Sequence, residues 1–139
     1  MTISAKQLTG GLCVLALTLG VSACGETASS SGYKGESHKV AETVSNLQTD
    51  ATALDQKKVC ENDLAAALTA RLGGNKGCQA NLKNQLHEID ALTLSIKSIA
   101  VSGNKATARV KSTYSGKSRV TTLLLVKEGS HWKVSGVES

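Results

Sequence analysis

The apolar residues of this chain change their spacing once, near Leu92, and that change limits the fold more than any other feature. Before it, Val40, Val44, Leu47, Ala51 and Leu54 recur every three or four positions, the stripe of an amphipathic helix over about residues 38–58. Cys60, Leu64, Leu68 and Leu72 continue at intervals of four, with Ala65, Ala66 and Ala67 adding helix propensity. Gly73-Gly74-Asn75-Lys76-Gly77 stops that run, because consecutive glycines cost a helix backbone entropy. Cys78, Leu82, Leu86 and Ile89 then predict a third, shorter helix over about residues 79–90.

Beyond Leu92 the period is two. Leu92, Leu94 and Ile96 alternate, and Ile99 and Val101 resume on the opposite parity, which predicts a bulge near Lys97 or Ser98. Ser102-Gly103-Asn104 turns the chain into a strand on which Ala106, Ala108 and Val110 share a face, and Ser115-Gly116 turns it again. Residues 117–127 carry leucines on both faces, as a central strand does. Glu128-Gly129-Ser130 leads to a last strand over 131–137, where Trp132 and Val134 alternate with His131 and Lys133. Three N-terminal helices followed by four mostly antiparallel strands predict an α+β domain over residues 36–139, its curved sheet wrapped around the helices. Phe is absent and Trp132 is the single tryptophan, so the core is aliphatic and small, and a crosslink would help it.

The N-terminus has another purpose. Residues 1–23 hold one basic side chain, Lys6, and an apolar run from Leu12 to Val21 broken only by Thr18 and Gly20. That run is about half of the ~20 residues a membrane-crossing helix needs, and reads as the apolar region of a cleaved signal peptide. Val21-Ser22-Ala23-Cys24 resembles the lipobox of bacterial lipoproteins. The resemblance implies that Cys24 receives a diacylglyceryl group, that the leader is cut before it, and that its amine is acylated. The chain would then be held on the extracytoplasmic face of the cell membrane, since two or more acyl chains anchor stably. The alternative is an ordinary cleaved signal that leaves Cys24 structural. Residues 24–35, with GETASSSGYKG after the cysteine, have the composition of a flexible tether.

With Cys13 in the leader and Cys24 acylated, Cys60 and Cys78 remain as an even pair, which in an exported chain favours one disulfide. It would clamp the second helix to the start of the third; the alternative is two buried thiols acting as small apolar residues. No histidine stands at ligand spacing from them, so no metal and no cofactor is expected. Charge is uneven: residues 24–94 hold seven Lys or Arg against nine Asp or Glu, and residues 95–139 hold eight against two. The basic half lacks interleaved aromatics, which argues against nucleic acid. It suits either a solvated sheet with protected edges or an anionic surface.

The helix group with Cys60 and Cys78, the phrases VSGNKATARV (101–110) and TTLLLVKEG (121–129), and the closing HWKVSGV (131–137) resemble the NTF2-like, or cystatin-like cone, superfamily. Within it the likeness is to small actinobacterial lipoproteins related to the DUF4878 and lumazine-binding-like groups. The resemblance implies a cone in which enzymatic members hold acids or bases among aromatics, and it implies no particular activity. Trp132 matches the family's aromatic near the final strand, either as packing or as a ligand contact. His87, Asp90 and His131 are the ionisable candidates, and no two of them are placed together by spacing. No catalytic residue is assigned. The preferred reading is a membrane-anchored binding or scaffold domain for a small apolar ligand or another envelope protein, with Trp132, His87 and His131 as possible contacts. The alternative is a small enzyme performing proton transfer on an apolar compound.

Overall fold

The computed structural model describes residues 28–87 and 92–139. Four helical segments precede four strands: α1 (Gly35–Thr52), α2 (Gln56–Lys58), α3 (Ala66–Arg71), α4 (Gly74–His87), β1 (Thr93–Ser102), β2 (Lys105–Tyr114), β3 (Lys117–Glu128) and β4 (His131–Glu138). The strands form one antiparallel sheet in sequence order, with β1 and β4 at its edges. The helices lie on one face of it, giving the expected α+β layering.

The alternation read from sequence decides which face is buried. Leu94, Ala106, Ala108, Val110, Leu123, Leu125, Trp132 and Val134 point inward and meet Val40, Val44 and Ala51 of α1. The expected bulge lies between Ile96 and Ser98, where it returns Ile99 and Val101 to the inner face. A second irregularity, between Leu124 and Leu125, leaves Ser135 of β4 unpaired, and its Oγ donates to the Leu124 carbonyl at 3.2 Å. Each bulge bends its strand and so helps the sheet close over α1.

The helical half departs from its expected boundaries. α1 ends six residues short of Lys58, because Leu54 adopts a left-handed conformation (φ 58°) and the Asp55 N–H closes onto the Asp50 carbonyl at 2.9 Å. Asp55 then caps α2, its Oδ1 accepting the Lys58 N–H at 3.0 Å. The continuous helix expected from Cys60 to Leu72 is broken: α2 runs into a single π turn, Val59–Asp63, after which Leu64 and Ala65 are extended. The gain that breaks it is a tertiary one, since Leu64 bridges Val134 in parallel and the Ala65 N–H donates to the Val134 carbonyl at 2.8 Å. Gly74 and Gly77, read as turn residues, belong to α4; a Cβ at Gly77 would strike the Leu72 carbonyl oxygen.

Cys60 and Cys78 are bonded, tying the π turn to α4 with their Cα atoms 6.0 Å apart. Within the stretch that the sequence places in the tether, Ala28 is buried and its N–H donates to Gln48 Oε1 at 3.2 Å, while Ser29, Ser31, Gly32 and Lys34 are exposed. The same oxygen accepts the Leu94 N–H at 2.9 Å, so one glutamine joins this segment to β1. Cys24, its preceding lipobox and Asp90 lie outside the described residues.

Candidate functional site

A cavity of about 560 Å³ opens on the flank of the domain, between α1, the π turn and the turn from β3 to β4. Three sequence elements make its walls. α1 presents Lys39, Thr43 and Asn46 at helical spacing, the π turn presents Asn62 and Asp63, and the last strand presents Ser130, His131, Trp132 and Lys133. Thr43 fastens the first wall to the third, its hydroxyl donating to the Trp132 carbonyl at 3.2 Å.

Asp63 is the chemically unusual member. It is 3% exposed, and its Oδ2 is the one buried side-chain oxygen or nitrogen without a hydrogen-bond partner among the described residues. Burial pushes its carboxyl up to about 7, and the nearby Asp50 carboxylate pushes in the same direction. Lys133 partly offsets both. Asp63 is the last residue of the π turn, directly before the extended Leu64 that bridges β4.

An ionic cluster adjoins the cavity at Lys39 and Trp132. Glu36, in the first turn of α1, accepts from Trp132 Nε1 at 2.8 Å and from Lys127 at 3.0 Å through one oxygen, and from Lys39 at 2.9 Å through the other. Hydrogen bonds from Lys39, Lys127 and Trp132 lower its carboxyl to about 2. The Lys127 ammonium also lies 5.9 Å from the centre of the Trp132 ring. Trp132 is 3% exposed, so its ring is chiefly packing and its polar edge is already satisfied.

Of the residues named from sequence, Trp132 and His131 border the cavity together. His87 does not join them: it is exposed at the C-terminal end of α4 and lines none of the described cavities. Asp63, Asn46, Asn62 and Glu36 were not singled out by sequence. Among the described residues no three His, Cys, Asp or Glu side chains converge to hold a metal ion. The side chains of Asn46, Asn62, Ser130 and His131 have no partner among the described residues. They offer both donors and acceptors to a small polar molecule, with the Asp63 carboxyl behind them in the wall.

No family model matches the chain, so a relation to the DUF4878 group rests on the sequence phrases alone. No curated protein matches either. Two solved structures share the architecture. One is a five-substitution variant of Rd1NTF2_05, at TM-score 0.57 and 11% identity, covering 75% of this chain and 98% of its own. The other is an NTF2-like protein of unknown function from Shewanella baltica OS155, at TM-score 0.54 and 19% identity, covering 73% and 90%. With the helices packed on a four-stranded antiparallel sheet, these likenesses establish that the domain has the NTF2-like fold.

Proposed function

We propose that the chain is a binding lipoprotein of the cell envelope, anchored through Cys24 and taking a small polar ligand into the flank cavity beside Asp63. The carrying observation is the filling of the cone. Its inner face is occupied by the protein's own apolar side chains, with Val40, Val44, Val110 and Leu125 fully buried and no ionisable group among them. A ligand is thereby directed to the flank, where the unpartnered Asp63 oxygen lacks a donor that a ligand hydroxyl or amine would supply. The lipobox and an intradomain disulfide both suit an exported chain. The apolar ligand expected from sequence has a separate hollow of about 600 Å³ beside α3, walled by Ala65, Ala67, Val101 and Leu125.

Proton transfer is the second reading, favoured by one observation: a carboxyl at about 7 is present in both protonation states near neutral pH, as a general acid or base must be. Protein recovered from membranes decides between the readings. Its mass is expected to include acyl chains on Cys24, and Cys24→Ala is expected in the soluble fraction; unchanged membrane retention overturns the anchor. Native mass spectrometry is expected to find a bound molecule that Asp63→Leu sheds and that is released chemically unaltered. A molecule held equally by Asp63→Leu, or no bound molecule, removes the cavity as the site, and release in altered form favours the enzyme.

A further inference from the structure

The outer face of the sheet is exposed along β2, with α3 reaching only the Leu124–Val126 corner, and its charge has an unusual location. Register places Lys105, Thr107, Arg109 and Lys111 outward on β2, opposite in parity to the buried Ala106, Ala108 and Val110. Cations that guard a sheet against edge pairing belong on edge strands, here β1 and β4. These three stand on an interior strand, so edge protection does not account for them. No ion pair engages any of them among the described residues.

Their neighbours extend the pattern. On the β1 side the cross-strand partners are Ser102, Ser98 and Ser95, too short to obstruct the long basic arms. On the β3 side they are Val126, Thr122 and Val120, with Leu124 opposite Thr107, and Val120 is 47% exposed. The two acids of this half share that face: Glu138 is opposite Thr122, itself opposite Arg109, and Glu128, which accepts the Ala66 N–H, lines the hollow that Lys105 reaches, so three cations stand on β2 against two acids, one of them already engaged. The apolar hollow beside α3 includes Thr107, Leu124 and Val126 in its walls and reaches Lys105. A line of cations about 20 Å long, flanked by the exposed Val120 and the half-buried Leu124 and Val126, is complementary to a surface that is anionic at its headgroups and apolar beneath them.

We infer that this outer face docks the domain onto an anionic phospholipid leaflet, with Lys105, Arg109 and Lys111 at the phosphates and Val120, Leu124 and Val126 at the acyl boundary. The inference is separable from the Cys24 anchor, because the anchor tethers the chain to any bilayer and the face selects a charged one. Each basic residue near such a surface contributes roughly fivefold in partitioning, so three together contribute on the order of 100-fold at low salt.

The test uses the full chain carrying a fluorophore at Thr107→Cys, mixed with phosphatidylcholine vesicles that contain quencher-bearing lipid. A parallel set adds about one-third phosphatidylglycerol. The expected result is quenching on the phosphatidylglycerol vesicles alone, reversed by high salt and weakened on the order of 100-fold in K105Q/R109Q/K111Q. Equal quenching on both vesicles, no quenching on either, or quenching undiminished in the triple variant overturns the inference. Cosedimentation with the neutral vesicles reads the anchor independently. An unanchored chain that is still quenched on anionic vesicles upholds the face while removing the lipid on Cys24. A quench that persists at high protein dilution excludes self-pairing of sheets as its source, and one lost on dilution assigns the face to a second copy of the chain instead.

Discussion

The two faces of the sheet carry residues of opposite character on the same strands. Along β2 the inner positions are Ala106, Ala108 and Val110, all buried, while the outer positions are Lys105, Thr107 and Arg109, all exposed. Inside, stability comes from close packing, so any change of volume is felt. Outside, substitution leaves the fold alone and alters only what the surface meets. The flank cavity belongs to neither face: it lies beyond the edge strand β4, where a buried acid has been kept at some cost to stability.

The contrast is broken most severely by Leu125→Ala, which empties a fully buried position on the inner face. A loss of about 3–4 kcal/mol in urea unfolding is expected, and a loss under about 1 kcal/mol would mean the cone is not close-packed. Next comes the clamp between the π turn and α4: the double variant Cys60→Ala, Cys78→Ala is expected to lose about 3 kcal/mol. Its far-UV spectrum should keep the sheet.

Asp63→Asn acts with the opposite sign. A carboxyl whose folded value is raised to about 7 binds its proton more tightly folded than unfolded, so the wild-type domain loses stability as pH rises from about 4 to 7. The amide cannot ionise. The variant is expected to be more stable than wild type by about 1–2 kcal/mol at pH 8, with the gap closing by pH 4. The smallest effect belongs to the outer face, where Arg109→Gln should change thermal stability by less than about 0.5 kcal/mol.

Much of this arrangement is legible in the sequence, and the boundary of legibility has a physical cause. The alternation of Ala106, Ala108 and Val110 reports a half-buried strand directly, and the parity switch after Ile96 reports its bulge, because both are local consequences of backbone geometry. Cysteine counting, with export expected from the N-terminus, likewise pointed to the Cys60–Cys78 bond. The π turn was hidden, since Cys60, Leu64 and Leu68 keep a helical interval and only the distant Val134 carbonyl pulls Leu64 and Ala65 out of it. Asp63 was hidden for the same reason: its burial depends on that turn, and within CENDL it resembles any solvated helix acid. Glu36 was placed at the edge of the tether. Its role comes from Lys127 and Trp132, some ninety residues away in sequence.

The central claim is that the packed cone leaves its one dry acid at the flank, in the side chain of Asp63. Carbon-13 NMR titration of the aspartate carboxyl carbons tests it directly. One resonance, absent in Asp63→Asn, is predicted to titrate with a midpoint at about 7. A midpoint for that resonance near the ordinary aspartate value of about 3.9 would contradict it, placing Asp63 in water and the flank cavity among ordinary surface clefts.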